Sequence, residues 1–367
     1  MNKPRILFSM PTVDHVGLAV DELEGMQALG YPCGQFYYAA KKGVTSKTGR
    51  LRVIVNNALA LVKEARSFKP DIIYFNSRLE VLAGMRDFMT IAIFKSLYSG
   101  KVKFVIKSHG SDLEVLTDQR FSMKKVVMPF LKKNVAAWLL LSSEEKRAVE
   151  HTGYFTPGSI YVTKNIVRLD NFKPDSTFRS RHNVPANHKV LLFVGRLIKE
   201  KGIYDVLNAF AQIKDSYPLT LIVVGGGAEA EQLKELSLTL DISNNVIFTG
   251  FIPEQEVVSY YSNCDILVFP TYFPEGLPMA LFNSVAAGMA AITTPTRAAT
   301  DYLTEPDNCL WVKPQDAGSV NAALQKLLQN EELTKSMKVN NIAKGIEFGK
   351  GQVCTELSTI IEQIMKR

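Results

Sequence analysis

Nowhere in its 367 residues does the chain hold an apolar stretch approaching the roughly 18 residues that a membrane-spanning helix requires. The richest runs, 135–141 and 285–292, are short enough to be core. Cysteine is scarce as well. Cys33, Cys264, Cys309 and Cys354 lie far apart, with no CxxC pair and no histidine cluster beside them. Neither a zinc site nor a disulfide framework is indicated, and reduced thiols in a cytoplasmic protein are expected. An Asp-x-Asp metal clamp occurs nowhere, and there is no internal repeat of 20–50 residues and no low-complexity tract. Residues 1–10 carry two cations before Ile6-Leu7-Phe8, but they lack a long apolar region and a small-residue cleavage site. They read as a first strand, not a signal peptide.

What is present is an ordinary globular composition, 46% apolar and 22% charged, over a length that exceeds what one core serves. Two domains are therefore expected. The net charge of +7 is unevenly spread: residues 1–183 carry 28 Lys and Arg against 16 Asp and Glu, a net +12, while residues 184–367 carry 15 against 20, a net −5. Such a basic half suits an anionic partner, a phosphorylated lipid or a membrane surface. Nucleic acid is not expected, because this half has no recognition-helix signature and no aromatic stacking pattern.

Short apolar runs at strand length recur throughout. In the first half they fall at 5–9, 71–76, 103–108, 137–142 and 159–162, with helical-length segments at 51–67 and 81–98. In the second half they fall at 190–195, 219–225, 246–250, 266–270, 290–294 and 310–312. Between the first two of these, Ile203, Val206, Leu207, Phe210 and Ile213 share one helical face. Strand and helix in alternation mean parallel sheets covered on both sides. The polar stretch 170–188, with two prolines and no sustained period, is the expected boundary. Two doubly wound α/β domains facing a central cleft follow, with ligands at the carboxyl ends of strands.

Three strand ends in the second half carry chemistry. Leu191–Val194 runs into Gly195-Arg196, and Lys201-Gly202 follows before Ile203. An arginine fork and a lysine point charge suit a diphosphate, and a solvated basic loop is the bland alternative. Gly225-Gly226-Gly227 lets a backbone approach a phosphate, but it lacks the spacing of dinucleotide and phosphate-loop motifs, so tight packing explains it equally well. VIFTGF followed by Ile252-Pro253 can offer backbone groups to a base edge. Finally, Phe273-Pro274-Glu275-Gly276-Leu277-Pro278 sets one acid in a rigid turn before an apolar helix. Glu275 is either a helix-start acid complementing the dipole or a ligand for sugar hydroxyls. A carboxylate for hydroxyls and two cations for phosphates point to a nucleotide-sugar site.

In the first half, the run 104–108 ends in His109-Gly110-Ser111-Asp112, where an imidazole can meet a sugar hydroxyl or relay a proton; an incidental loop histidine is the alternative. His15-Val16-Gly17 is a comparable loop, with Gly17 able to face a ligand. Between Arg120 and Trp138, Lys124, Lys125, Lys132 and Lys133 are interleaved with Phe121, Met123, Val126, Val127, Met128, Phe130 and Leu131. This segment suits either an anionic bilayer, at ~1 kcal/mol per cation, or a core helix with a basic face, interrupted at Pro129.

Taken in order, GRL with KG, GGG, FTGFIP and the EGLP turn resemble the donor-binding domain of the retaining glycosyltransferase family 4, over about 190–300, with HGSD at 109–112 in support. The resemblance implies the GT-B fold: an acceptor domain at 1–172, a donor domain at 173–348, and a final helix at 349–367 that crosses back to the first domain through Val353, Leu357, Ile360, Ile361 and Ile364. It implies transfer of a hexose from a nucleotide diphosphate, a UDP-sugar, to a saccharide or lipid-linked acceptor in bacterial polysaccharide or glycolipid synthesis. Arg196 and Lys201 would hold the diphosphate with help from the Gly276-Leu277 backbone, Glu275 would hold the sugar hydroxyls, and His109 would face the sugar. Gly17, Gly225, Ile252 and Asn283 complete the donor set. No cofactor and no metal are expected, and the location would be cytoplasmic, peripheral on the inner membrane. Two positions depart from the family pattern. Asn283 stands where a second glutamate grips the ribose, and the first loop holds Gly17 alone where two glycines are usual. Rival readings are a nucleotide-sugar-binding protein without chemistry, for which Asn283 argues, and a sugar-nucleotide epimerase, which needs a second carboxylate.

Overall fold

Alternation of apolar runs with longer segments becomes, in each half of the chain, six parallel strands with helices between them. The computed structural model describes residues 3–11, 16–38, 44, 46–111, 120 and 122–367. It divides into two units. The first comprises Met1–Ile166, Glu275–Leu277 and Lys350–Arg367, and the second Val167–Pro274 and Pro278–Gly349. Each is a doubly wound α/β unit, the class that the alternation predicts.

In the first unit the strands are β1 (Ile6–Met10), β2 (Cys33–Tyr37), β3 (Ile72–Leu79), β4 (Lys103–Ser111), β5 (Val135–Leu140) and β6 (Ile160–Val162), in the spatial order β2-β1-β3-β4-β5-β6. Successive side chains point to opposite faces. Leu7, Ile73, Phe75, Phe104 and Ile106 therefore share one core face, which is covered by α2 (Lys47–Phe68) and α3 (Val81–Leu97). Ile6, Phe8, Ile72, Tyr74 and Val105 share the other, covered by α1 (Val16–Ala28) and by Val353, Leu357, Ile361 and Ile364 of the final helix, Lys350–Lys366. Ser46 opens α2 by accepting the Gly49 N–H at 3.1 Å, and Lys69 closes it in the left-handed region at φ 51°.

The apolar pattern does not reveal β2. Gly34 and Gln35 break its run, and it is an edge strand with Tyr37 exposed and only Phe36 fully buried. Gly34 packs closely there, since a Cβ would stand 3.1 Å from the side chains of Leu7 and Phe68.

The segment 120–138 departs from the expectation of an apolar face laid on a bilayer. A π-helical stretch, Ser122–Val127, leads into a helix at Met128–Asn134, and Val135 to Trp138 already belong to β5. Pro129 is the second residue of that helix, directly after the change from π-helical to α-helical backbone. Met123, Val127, Met128 and Leu131 are buried in the core of the unit, and the exposed residues here are Arg120, Ser122, Val126, Pro129 and the four lysines. Phe121 lies outside the described residues.

In the second unit the strands are β7 (Lys189–Val194), β8 (Leu219–Val224), β9 (Val246–Gly250), β10 (Ile266–Phe269), β11 (Ala290–Thr293) and β12 (Leu310–Trp311), ordered β12-β11-β10-β7-β8-β9. All six match the expected runs to within a residue or so at each end. The helix Ile203–Ile213 buries Ile203, Val206, Leu207, Phe210 and Ile213 on one face, each contributing roughly 1.5–3 kcal/mol of apolar transfer. The chain starts at β7, winds out to β9, then returns to the other side of β7 as β10. That reversal between β7 and β10 is a topological switch point, where crossovers leave on opposite faces and open a crevice at the strand ends. The first unit reverses likewise between β1 and β3.

Candidate functional site

At the β7/β10 switch point the two strands deliver the two loops singled out above. Gly195-Arg196 leaves β7, and Pro270 through Glu275 leave β10. Arg196 is exposed, whereas Lys201 is only 6% exposed, in a 3-10 turn at Lys199–Lys201. One side chain brings them together. The Arg196 guanidinium and the Lys201 ammonium each lie 4.8 Å from the centre of the Phe273 ring, and Lys201 lies 5.6 Å from that of Phe269. A ring face attracts and orients cations. Two positive groups so placed can attract a polyanion such as a diphosphate.

The ring is itself fixed. The Glu200 carbonyl accepts from the N–H of Tyr272 at 2.9 Å, from the N–H of Phe273 at 3.0 Å and from the Thr271 hydroxyl at 3.2 Å. Gly202, at φ 74°, makes this approach possible, since a Cβ there would stand 2.3 Å from the Pro270 carbonyl oxygen. Behind the loop, buried Arg297 donates from Nη1 to the Pro274 carbonyl at 3.0 Å.

The glycine triplet is explained by packing. A Cβ on Gly225 (φ 141°) would stand 1.8 Å from the Gly195 carbonyl oxygen, and one on Gly227 would stand 2.4 Å from that of Leu197. The loops after β7 and β8 therefore lie against each other, tied by Leu197 N–H to the Gly226 carbonyl at 2.9 Å. Glu275 is half-buried between two prolines, with Gly276 and Leu277 buried after it and the helix Met279–Ala286 starting beyond Pro278. Ile252 is half-buried in the loop after β9. Asn283 sits on the helix Met279–Ala286 and meets Tyr261; burial pushes the Tyr261 phenol well above its ordinary range, and the Asn283 amide opposes that shift.

In the first unit, one face of the sheet changes character towards the carboxyl ends. On β4 the period of two runs Val105, Lys107, His109. Val105 is core, Lys107 is fully buried in an ion pair with Glu22 of α1 and donates to the Lys164 carbonyl at 2.8 Å, and His109 is 8% exposed. His109 Nε2 lies 2.7 Å from Asn76 Oδ1 on β3. On the opposite face Asp87 of α3 is buried. It accepts from the Tyr38 hydroxyl at 2.7 Å and from the Ser77 hydroxyl at 2.5 Å, and it pairs with Arg86 at 3.0 Å. Burial pushes the Tyr38 phenol far up, and the Asp87 carboxylate adds to it.

Gly17 requires a correction: it lies in the first turn of α1, not in a loop. His15 and Asp112 lie outside the described residues, as does the side chain of Ser111. Burial pushes the thiols of Cys33, Cys309 and Cys354 up to about 12, so none of the three is a thiolate nucleophile at neutral pH. Among the described residues no cluster of three or more His, Cys, Asp or Glu side chains could hold a metal, and no helix is long and apolar enough to cross a membrane.

Sequence reading missed three residues. Phe273 was visible only as part of a rigid turn, Asn76 as the polar end of an apolar run, and Arg297 gave no signal.

Residues 175–344 match the sequence model of the family described as glycosyl transferases group 1. Among relatives, the putative teichuronic acid biosynthesis glycosyltransferase TuaC of Bacillus subtilis is 23% identical over 321 residues, 87% of this chain and 76% of that protein. Other alignments are shorter: the chain spans 43% and 44% of the length of two uncharacterized glycosyltransferases of Methanocaldococcus jannaschii. Among solved structures, a glycosyltransferase from Rickettsia africae ESF-5 matches with a TM-score of 0.81 at 18% identity, covering all of both chains. Anabaena Alr3699/HepE, solved in complex with UDP and glucose, matches with a TM-score of 0.77 at 16% identity over 98% of this chain and 100% of that one. The fold is therefore the GT-B architecture of glycosyltransferases. Through residues 175–344 the chain is similar to the glycosyl transferases group 1 family.

Proposed function

We propose that the protein transfers a hexose from a UDP-sugar to a saccharide or lipid-linked acceptor, with retention of configuration and without a metal, in bacterial surface polysaccharide or glycolipid synthesis. The observation that carries this reading is the convergence of Arg196 and Lys201 on Phe273 at the β7/β10 switch point. In it, the two cations and the Gly276-Leu277 backbone receive the diphosphate. Glu275 binds hydroxyls of the transferred sugar, His109 binds another, and Gly225, Ile252 and Asn283 lie toward the nucleoside, with Gly17 toward the phosphates. The UDP and glucose bound by the Anabaena neighbour favour a uridine donor.

The chemistry is charge management. As the bond between the anomeric carbon and the diphosphate oxygen breaks, negative charge grows on the leaving oxygen, and preorganised cations stabilise that growth more than the ground state. The acceptor hydroxyl attacks on the same face, and its proton passes to the departing phosphate. The lysines at 124, 125, 132 and 133 would hold the protein to an anionic inner-membrane surface from the cytoplasm. Asn283 beside Tyr261 favours a second reading, nucleotide-sugar binding without transfer, because an amide lacks the charge-assisted bonds of a carboxylate.

Incubation with radiolabelled UDP-sugars and lipid-linked acceptors separates the two. Transfer by the wild type, cut at least tenfold in Glu275→Ala, is the expected result. Binding of donor with no labelled product would leave the second reading.

A further inference from the structure

A neutral histidine ring carries its proton on one nitrogen, and the partner of either nitrogen decides which. For His109 that partner is the Asn76 side chain, with Oδ1 2.7 Å from Nε2. An amide has two ends, so the assignment depends on which end faces the ring. Here Ser9 decides it. Asn76 Nδ2 donates to the Ser9 carbonyl at 2.9 Å, and a carbonyl can only accept. Turned over, the amide would set its own oxygen against that carbonyl, two acceptors with no proton between them. Ser9 is fully buried and Asn76 nearly so, which leaves no water to relieve the clash. The Asn76 backbone N–H also donates to the Ser9 hydroxyl at 2.7 Å, pinning the residue to β1. Oδ1 must therefore face His109, and because it has no proton to give, Nε2 must donate.

We infer that Asn76 is a positioning residue that holds neutral His109 in the Nε2–H tautomer, making Nδ1 an acceptor of hydrogen bonds and not a donor. Ser9, Asn76 and His109 stand on β1, β3 and β4, adjacent in the sheet, so the relay crosses the switch point of the first unit. The consequence for catalysis rests on the proposed function: a hydroxyl of the transferred sugar donates to Nδ1, and the neutral ring cannot protonate a substrate oxygen.

The test is long-range proton–nitrogen spectroscopy on protein with nitrogen-15 histidine, at a pH where imidazole is neutral, with the His109 signals assigned through His109→Gln. The expected wild-type spectrum has a protected proton on Nε2 and a bare Nδ1. Asn76→Ala should lose the protected proton and cut kcat about tenfold with the donor KM nearly unchanged, as loss of one oriented hydrogen bond predicts. A wild-type ring protonated on Nδ1 would overturn the inference even if Asn76→Ala does not fold. So would Asn76→Ala with the Nε2 proton still protected. The expected spectra combined with undiminished transfer in both Asn76→Ala and His109→Gln would overturn the catalytic consequence and leave the tautomer standing.

Discussion

Two buried lysines, one in each unit, have different neighbours. Lys107 on β4 is matched by the Glu22 carboxylate and the Lys164 carbonyl, so its charge is answered inside the fold. Lys201 after β7 lies over the rings of Phe269 and Phe273 and shares the second ring with Arg196. Ring faces attract and orient a cation. The same residue type thus sits in an ion pair in one unit and, in the other, over two aromatic rings where the proposed function places the diphosphate. The neighbour's chemistry, not the lysine, sets the role.

The largest expected effect breaks the first case. Lys107→Met leaves the Glu22 carboxylate buried without its counter-charge and should cost about 3–5 kcal/mol in urea unfolding. Unchanged stability would mean that the pair is not what the burial implies. Lys201→Ala tests the other case: loss of a preorganised cation should lower kcat/KM by about 10²–10³-fold, with far less effect on unfolding than Lys107→Met. A variant with wild-type kinetics would erase the distinction between the two lysines. Gly225→Ala sharpens the comparison by loosening the packed loops that set the receptor. Its Cβ would meet the Gly195 carbonyl at 1.8 Å, so stability should fall by about 1–3 kcal/mol. Smallest is Phe273→Leu, which removes the shared ring and about 0.5–2 kcal/mol per cation, seen as weaker donor binding that Phe273→Tyr restores.

Much of the second unit was legible in the sequence because buried parallel strands read as continuous apolar runs, and Gly195, Gly225 and Gly227 mark loops in close contact. Arg196, Lys201 and Glu275 follow from their places at strand ends. Phe273 did not, because a cation–π platform depends on where a loop folds back, here through three bonds to the Glu200 carbonyl. The first unit was harder. Its edge strand β2 carries Gly34 and Gln35 in place of an apolar run, and the apolar residues of 120–138 served a core where a membrane face also fitted the pattern. Lys107 and Glu22 are 85 residues apart, and Asn76 meets His109 across 33. Side-chain pairs between elements far apart in the chain leave no local period to read.

The most direct measurement of the central account is calorimetric titration of UDP-sugars and GDP-sugars at fixed ionic strength into the wild type and the Arg196→Ala/Lys201→Ala double variant. The account predicts that the wild type binds a UDP-sugar and that the double variant loses at least about 100-fold in affinity, the loss of two charge-assisted contacts. Equal affinity in the two proteins would place the diphosphate elsewhere and contradict it.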